Sequence, residues 1–469
     1  MKGFKRQHSD CRAGFVKGRE GMKERIGMVS LGCAKNRVDA EMMLYTLKEE
    51  GYQIVADPAL CDVAIVNTCG FIEDAKQESI DEVLELAALK KEGRIKAIIV
   101  TGCLAERYQS EVMKELYEVD AVAGIGANGK IADIVREVLE GKKQEIFPDK
   151  DLLPLCGGRI RSTPFYYAYL KIAEGCDNHC TYCAIPAIRG KFRSRPIPEL
   201  IAEAAELAKM GVKELIVIAQ DTSRYGEDFG GKSLLPQLLT ELCRIEELQY
   251  IRVLYCYPER MTDELIDVFA REKKILKYID IPMQHCNKRI LKLMNRKGDR
   301  ESLTALVNKL RERVKGIVLR TTVMTGFPSE TKEEFEELAE FVKEMKFERL
   351  GCFAYSAEEN TPAAKMKDQL DEDTKKRRQE LIMEQQQLVM ADYARSQVGR
   401  TIRVLCEGFD RYAECFFGRS AADAPEVDGK VFFIAEGKRP KIGDIVSVEI
   451  TDTLDCDVMG SCNIPEEQA

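Results

Sequence analysis

Cys176-Asp-Asn-His-Cys180-Thr-Tyr-Cys183 is the stretch that decides both fold and chemistry in this 469-residue sequence. It follows the apolar run Tyr166–Ala173, which predicts a strand, so the three thiols stand just past the carboxyl end of that strand. Three thiolates at this spacing suit one cubane iron–sulfur cluster and leave its fourth iron without a protein ligand. An open metal position of this kind lets a small molecule bind and react there.

A zinc site with His179 as the fourth ligand is the alternative for this stretch. Typical zinc sites pair two separated groups of ligands, whereas these four residues lie in one short segment. The spacing therefore favours the cluster, with His179 as an ordinary loop residue.

A second set of cysteines is spread along the first part of the chain. Cys33, Cys69 and Cys103 each follow one of three apolar runs, and each has a glycine beside it. If the runs are neighbouring parallel strands, the thiols emerge at one sheet edge, where α/β folds bind ligands. Glycine lets the backbone approach a bulky group closely. One buried cysteine usually acts as a small hydrophobe, but three at matching strand ends predict a second cluster.

The first motif opens a series of six strand–helix units. Their predicted strands are Tyr166–Ala173, Glu214–Ala219, Ile251–Tyr257, Tyr278–Pro282, Ile317–Met324 and Leu350–Tyr355. Six such units in a row predict a partial (βα)6 barrel over residues 165–371, with its site at the carboxyl ends of the strands.

The fold class predicted for the whole chain is α/β with three domains. Residues 21–145 alternate apolar runs with helical patterns, which predicts an N-terminal parallel-sheet domain. A linker is predicted at 146–164 and a charged connecting helix at 372–397. Residues 398–469 hold short β-like runs separated by Gly, Pro and Asp, the pattern of a small β-barrel.

Composition narrows the class of protein. The chain is 45% hydrophobic and 32% charged, and no run approaches the roughly 18 apolar residues of a membrane helix. Residues 1–20 lack the apolar stretch of a secretory signal. The 17 cysteines are an odd number in a large chain, so metal ligation is favoured over a disulfide framework. A cytoplasmic protein without membrane contact is predicted.

Other sulfur and imidazole groups give weaker signals. Cys256, Cys286 and Cys352 fall near predicted strand ends without a close partner in sequence, so packing is the preferred interpretation. For His285, a cofactor contact is an alternative to a capping or packing role, which is preferred.

Five further segments accompany the two cysteine triads: Ser30-Leu-Gly-Cys-Ala-Lys-Asn36, Ala219-Gln-Asp-Thr-Ser-Arg-Tyr-Gly226, Tyr255-Cys-Tyr-Pro258, Tyr278-Ile-Asp-Ile-Pro-Met-Gln-His285 and Phe353-Ala-Tyr-Ser-Ala-Glu-Glu-Asn-Thr-Pro362. With a tail similar to a TRAM module, the sequence resembles the methylthiotransferase family of radical S-adenosylmethionine enzymes over nearly its whole length. It is most similar to the branch that modifies ribosomal protein S-12. Ala34 stands where proline is usual, and Ser329 interrupts the usual Gly-Phe-Pro-Gly-Glu-Thr. Residues before Gly21 resemble an extension beyond the family pattern.

The resemblance implies two 4Fe-4S clusters and S-adenosylmethionine as cofactors. Cys176, Cys180 and Cys183 would hold the cluster whose open iron chelates S-adenosylmethionine, while Cys33, Cys69 and Cys103 would hold the cluster that carries sulfur. A 5′-deoxyadenosyl radical would then take hydrogen from the β-carbon of an aspartate in S-12, and a methylthio group would be delivered there. The implied partners are S-12 or the small ribosomal subunit, and an electron donor such as a flavodoxin or ferredoxin. No other catalytic residue is assigned.

Two rival functions stay open at this point. One is a redox or RNA-binding protein with structural clusters, and the other is a tRNA methylthiotransferase. From 398 to 469 the sequence holds 8 Lys and Arg against 14 Asp and Glu. Because RNA phosphates require a basic surface, this acidic tail favours a basic ribosomal protein as partner. A merely solvated acidic surface is the alternative.

Overall fold

The computed structural model describes residues 24–464. The extension before Gly21 and the outermost residues of the first and last predicted domains lie outside this range. Within residues 24–464, no helix combines the length and the apolar character that crossing a bilayer requires.

The first domain is a six-stranded parallel sheet with helices on both faces. Its strands are β1 (Arg25–Ser30), β2 (Gln53–Val55), β3 (Val63–Thr68), β4 (Ala97–Gly102), β5 (Ala121–Ala123) and β6 (Gln144–Ile146), in the order β2-β1-β3-β4-β5-β6. Its helices are α1 (Ala34–Glu49), α2 (Glu73–Lys91), α3 (Cys103–Tyr108), α4 (Ser110–Glu115) and α5 (Ile131–Leu139). Every residue of β3 and β4 is buried, as expected for parallel strands covered on both sides. The predicted parallel sheet is confirmed.

The second domain is an open six-stranded parallel sheet flanked by helices. Its strands are β7 (Tyr167–Lys171), β10 (Glu214–Ile218), β11 (Tyr250–Val253), β12 (Ile275–Asp280), β13 (Val318–Thr325) and β14 (Arg349–Ala354), in sequence order across the sheet, and β8 (Ala173–Glu174) pairs with β9 (Arg193–Ser194) beside it. The helices are α6 (Ile185–Arg189), α7 (Ile197–Lys209), α8 (Glu227–Gly230), α9 (Leu235–Leu242), α10 (Asp263–Arg271), α11 (Lys288–Leu293), α12 (Arg300–Arg313) and α13 (Lys332–Met345). This is the partial barrel that the six units predicted.

Helix α14 (Glu372–Arg395) leads into a closed five-stranded barrel. The barrel strands are β15 (Thr401–Asp410), β16 (Cys415–Ser420), β17 (Val431–Gly437), β18 (Ile445–Leu454) and β19 (Asp457–Ile464). The sequence predicts β-like runs at Thr401–Leu405, Val431–Ile434 and Ile445–Ile450, and β15, β17 and β18 begin there, whereas β16 and β19 were missed. Both are interrupted by glycine and small polar residues, which weaken the alternating pattern.

The concave face of the six-stranded sheet is filled by the other two domains. Helix α1 contributes Val38, and the segment between β16 and β17, residues 421–430 (the inserted loop), contributes Ala424. Arg252 donates to the carbonyl of Ala421 at 3.0 Å, and the Tyr278 hydroxyl donates to Asp428 at 2.6 Å. The three domains therefore share one interior, and the carboxyl ends of the barrel strands stay available for a site.

Candidate active site

The Cys176–Cys183 loop connects β8 to α6 and is pinned at several points. The amide of Cys176 donates to the carbonyl of Gly190 at 3.1 Å, and the amide of Thr181 donates to that of Met294 at 3.1 Å. Asn178 Nδ2 donates to Asp221 Oδ2 at 2.8 Å. The loop is thus fixed by its own backbone before any ligand binds.

The three thiols of this loop are partly or wholly buried and interact electrostatically with one another. Burial raises the pKa of Cys176 to about 11, and burial together with charge on Cys180 and Cys176 raises the pKa of Cys183 further. The free thiols of Cys176 and Cys183 therefore stay protonated at neutral pH. Binding a cationic metal group here would therefore have to displace protons.

No three metal-ligating side chains within residues 24–464 are close enough to share one metal ion. Thiolates bind a single zinc ion at about 2.3 Å, which brings the sulfur atoms close to one another. A cubane cluster takes each thiolate on a different iron, so its ligands stand farther apart. The two kinds of site therefore require different separations between the sulfur atoms. His179 lies in the left-handed backbone region with φ 49°, as a loop residue does.

The second triad stands at one edge of the first sheet, as predicted. Cys33 precedes α1, Cys69 follows β3 and Cys103 begins α3, and the strands β1, β3 and β4 are direct neighbours. The side chain of Asn67 donates to the carbonyl of Asn36 at 2.8 Å, which ties two of the three loops together. The thiols of all three cysteines interact electrostatically.

Glycine is needed beside these cysteines because their loops pack on one another. A Cβ at Gly32, where φ is 83°, would lie 2.8 Å from Cys69 Sγ. A Cβ at Gly102, where φ is 94°, would lie 2.5 Å from the carbonyl oxygen of Thr68. The close approach predicted from the glycines is present, and the groups that approach are the neighbouring loops.

Charge around the second triad is positive. Partial removal from water would raise the pKa of Cys33, but Lys35 and Arg189 bring it below the ordinary value. Burial raises the pKa of Cys103 to about 12, although Arg189 opposes this shift. The Lys35 ammonium also lies 3.5 Å from the ring centre of Tyr255, at the end of a barrel strand. Two cations therefore face sulfur atoms that become anionic when they ligate a metal.

The two triads are neighbours. Cys103, Ala184 and Ile188 form one small apolar cluster, in which α3 packs against α6. A cavity of about 380 Å³ lies beside Cys180 and Cys183 and is also lined by residues of α3. The buried carboxylate of Glu358 pairs with Arg107 of α3 at 2.7 Å and thereby joins the end of the partial barrel to the first domain.

Polar atoms without partners lie near the Cys176–Cys183 loop. Gln220 Oε1 and Arg296 Nε are buried and accept or donate no hydrogen bond within residues 24–464. The Arg296 guanidinium stacks at 4.1 Å over the ring of Tyr257, whose hydroxyl is 3.8 Å from Cys180 Sγ. Buried polar atoms without partners are costly, so this region fits a polar ligand such as S-adenosylmethionine.

The weaker predictions can now be placed. His285 is buried, faces Glu330 at 3.2 Å and accepts from the amide of Asn287 at 2.9 Å, so its role is capping and packing. Cys256, Cys286 and Cys352 are buried within the main apolar core, as predicted.

The two departures from the family pattern have local explanations. Ala34 begins α1, a position where proline is favoured because its fixed φ suits the first helical residue. Ser329 has φ 64°, a left-handed conformation that glycine adopts most easily. Arg289 donates to the Ser329 carbonyl at 2.7 Å and to its hydroxyl at 3.1 Å, which holds the turn.

Four charged residues beside the triads were missed by sequence reasoning. Lys171 and Glu174 of the barrel contact each other at 2.8 Å, Lys171 and Arg189 both contact Asp39 of α1, and all four side chains are almost fully buried. A lysine inside the apolar run Tyr166–Ala173 was the available signal, because a buried cation requires a buried partner.

Comparison with known families gives three matched regions. Residues 25–124 match the uncharacterized protein family UPF0004, residues 170–342 match the radical SAM superfamily, and residues 398–462 match the TRAM domain.

A solved structure with a similar fold is the radical S-adenosylmethionine methyltransferase TsrM from Kitasatospora setae. It has a TM-score of 0.53 and 14% sequence identity over 70% of this chain and 72% of its own. At this identity the likeness concerns the fold alone.

Relatives at much higher identity span nearly the entire chain. The protein named ribosomal protein uS12 methylthiotransferase RimO from Lachnoclostridium phytofermentans is 48% identical over 93% of this chain and 99% of its own. The protein of the same name from Caldanaerobacter subterraneus is 50% identical with the same two coverages. Identity at this level over 93% of the chain means that it belongs to the RimO family of methylthiotransferases.

Proposed function

We propose that this protein is a radical S-adenosylmethionine enzyme that attaches a methylthio group to the β-carbon of an aspartate in ribosomal protein uS12, the S-12 protein of the small subunit. The observation that carries the proposal is the near-complete coverage of relatives that bear this name, at 48% identity. One cysteine triad lies within the region that matches UPF0004, and the other lies within the region that matches the radical SAM superfamily.

In this proposal each triad holds one 4Fe-4S cluster. Cys176, Cys180 and Cys183 would hold the cluster that binds S-adenosylmethionine, and Cys33, Cys69 and Cys103 would hold the other. When bound, these groups supply a radical that removes hydrogen from an unactivated carbon and the methylthio group that replaces it. The proposed domain limits are those inferred above: 21–145, 165–371 and 398–469, with the linker at 146–164 and the connecting helix at 372–397.

The chain's own contribution is to place the parts and to keep water out. The contact between α3 and α6 fixes the spacing of the triads, and the Glu358–Arg107 ion pair closes the first domain onto the barrel. The unpartnered atoms of Gln220 and Arg296 offer hydrogen bonds to a polar cofactor beside Cys180. Exclusion of water from such a site protects a reactive intermediate from side reactions.

Not every acidic residue counted in the C-terminal barrel is available to a partner. Glu407, Asp423 and Asp428 face arginines inside the molecule and are not available to a partner, whereas Glu426 pairs with Arg37 and is half exposed. Asp457 accepts from the backbone amide of Lys430 at 2.7 Å and has a structural role. Asp452 and Asp455, exposed where β18 and β19 meet, are the acidic groups that support docking of a basic protein segment.

A cytoplasmic location and an external electron donor, such as a flavodoxin or ferredoxin, complete the proposal. Ribosomal proteins are the substrate class, and reductive chemistry at a cluster requires a one-electron source. The tRNA alternative loses support, since the relatives at 48–50% identity are named for a ribosomal protein.

Anaerobic reconstitution with iron and sulfide, followed by mass spectrometry of uS12 and of tRNA, tests the function. We expect about eight irons per chain, four for each cluster, and about half of that when either triad is replaced by alanine. With reductant and S-adenosylmethionine, uS12 should gain the mass of one methylthio group in place of hydrogen. Modification of tRNA but not of uS12 would contradict the proposal, and iron content that ignores the alanine replacements would contradict the ligand assignment.

A further inference from the structure

Arg189 lies between the two cysteine triads and has no part in the function as proposed so far. Its side chain is 1% exposed. One edge of the guanidinium places Nη2 at 3.2 Å from Cys103 Sγ and at 3.0 Å from Asn36 Oδ1. The other edge faces the carboxylates of Asp39 and Glu174. Arg189 is thus the link between a buried charge network and a thiol of the second triad.

The network explains why a positive charge is stable in the protein interior. Lys171 and Arg189 carry two positive charges, and Asp39 and Glu174 carry two negative charges, all in mutual contact. A balanced and hydrogen-bonded cluster avoids the large cost of a single buried charge. Because arginine stays protonated in proteins, this cation is fixed at every relevant pH.

Arg189 and Cys103 belong to different domains. Arg189 ends α6, six residues after Cys183, and therefore belongs to the partial barrel. Cys103 begins α3 in the first domain. The barrel domain therefore inserts a permanent positive charge into the cysteine site of its neighbour.

We propose that Arg189 is a positioning residue that holds Cys103 and sets the reduction potential of the cluster bound by Cys33, Cys69 and Cys103. This inference rests on the proposed function of that triad. A reduced cluster carries one more negative charge than an oxidised one, so a fixed cation beside a ligand sulfur favours reduction. The effect is strong in a site shielded from water, where charges are poorly screened.

Docking of the two domains alone does not account for this geometry. Docking needs only the carboxylate edge of the guanidinium, and the Arg107–Glu358 pair already supplies another buried ion pair between the same domains. The edge toward Cys103 and Asn36 contacts no carboxylate. Only a planar fork satisfies a carboxylate pair and a sulfur atom together, which a lysine cannot do.

The experiment uses the full chain with Cys176, Cys180 and Cys183 replaced by alanine, so that a single cluster remains to be titrated. After anaerobic reconstitution, the potential is measured by redox titration followed by electron paramagnetic resonance. In R189Q we expect reduction to become roughly tenfold less favourable, a fall of about 59 mV for a one-electron couple. R159Q is the matched control, because Arg159 joins Glu41 of α1 to Glu203 of α7 without touching a cysteine, and its potential should equal that of the unaltered background.

D39N should shift the reduction potential in the opposite direction. This substitution removes one carboxylate that neutralises Arg189 and should raise the reduction potential. If R189Q fails to retain iron, the potential of D39N tests the role of Arg189 instead. An unchanged potential in R189Q, or in D39N where R189Q carries no cluster, would show that Arg189 is only structural and overturn the inference. An equal shift in R159Q would do the same. Iron absent from the background protein would overturn the proposed function of the triad itself, and the role of Arg189 with it.

Discussion

Replacing Glu214 by Gln tests how the C-terminal barrel is held against the six-stranded sheet. Glu214 is 1% exposed, and its two oxygens face Arg252 Nε at 2.6 Å and Arg419 Nη2 at 2.7 Å. Arg252 belongs to the sheet and also donates to the inserted loop, whereas Arg419 belongs to the barrel. One carboxylate therefore connects two domains through two arginines.

The expected cost follows from what each arginine retains. Removing one partner of a buried ion pair typically costs about 3–5 kcal/mol. Arg419 keeps Glu407 at 2.7 Å, and the glutamine oxygen still accepts one hydrogen bond, so the lower end applies. A loss of about 3 kcal/mol makes opening of the interface roughly a hundredfold more frequent, since each 1.4 kcal/mol is a factor of ten.

Hydrogen exchange followed by mass spectrometry measures this opening directly. The amide of Ala424 donates at 2.8 Å to Asp428, which also accepts from Tyr278 of the sheet, so exchange at this amide reports opening of the loop. Peptides that cover the loop should exchange roughly a hundredfold faster in E214Q. E449Q, an exposed substitution on the same barrel, is the control and should leave exchange unchanged. A rise below about tenfold in E214Q, or the same rise in E449Q, would refute the reasoning.

Acid supplies a second readout for the same residue. Burial alone would raise the pKa of Glu214, but Arg419 and Arg252 hold it below the ordinary value of 4.5. A carboxyl with a lowered pKa stabilises the fold above the ordinary value and loses that contribution as the pH falls through the lowered one. The difference in exchange between wild type and E214Q should therefore be constant near neutrality and shrink in acid below about pH 4.5. A difference that persists unchanged at lower pH would contradict the assignment of charge.

Three further predictions concern the sites and the surface. Cys180→Ala should abolish reductive cleavage of S-adenosylmethionine, whereas Cys69→Ala should leave 5′-deoxyadenosine formation measurable and stop methylthio transfer; equal loss in both would argue against separate roles. Ser329→Gly should leave the free energy of unfolding unchanged or raise it by up to about 1 kcal/mol, because relief of the left-handed strain outweighs the added freedom of the unfolded chain. A loss above about 1 kcal/mol in chemical denaturation would show that the hydroxyl contact with Arg289 dominates. Reversing Asp452 and Asp455 to Lys should slow association with uS12 in low salt, with the rate difference vanishing in high salt, and rates that match wild type in stopped-flow measurements would remove the barrel from the docking surface.

Much of the fold and both triads could be predicted from local pattern. Cys33, Cys69 and Cys103 follow strands whose apolar runs are clear in the sequence, and a parallel sheet brings such ends together. The motif at Cys176 carries its ligands within one loop, so its geometry needs no tertiary information. Strand β2, with three residues at the sheet edge, was missed because so short a run gives no periodicity.

The charge network could not be predicted in the same way. Arg189 contacts Asn36 across 153 positions of sequence, and no local rule pairs residues at such a distance. The contacts of the inserted loop could not be predicted for the same reason, because its contact with Arg252 spans more than 160 positions of sequence. The sequence gives the number of acidic residues in the tail, but it does not tell which carboxylates face arginines inside the protein and which face solvent.

The inserted loop also has a consequence for the order in which the chain is completed during synthesis. Arg349 belongs to the last strand of the sheet, and its acidic partner Asp423 in the inserted loop is made more than 70 residues later. Domains form as they emerge from the ribosome, the N-terminal ones first. Until residues 421–430 are made, Arg349 lacks this carboxylate partner, whereas Arg252 and Arg320 already pair with Glu214 and Asp280 within the sheet. The last ion pair of the sheet therefore forms only when the C-terminal domain has been made.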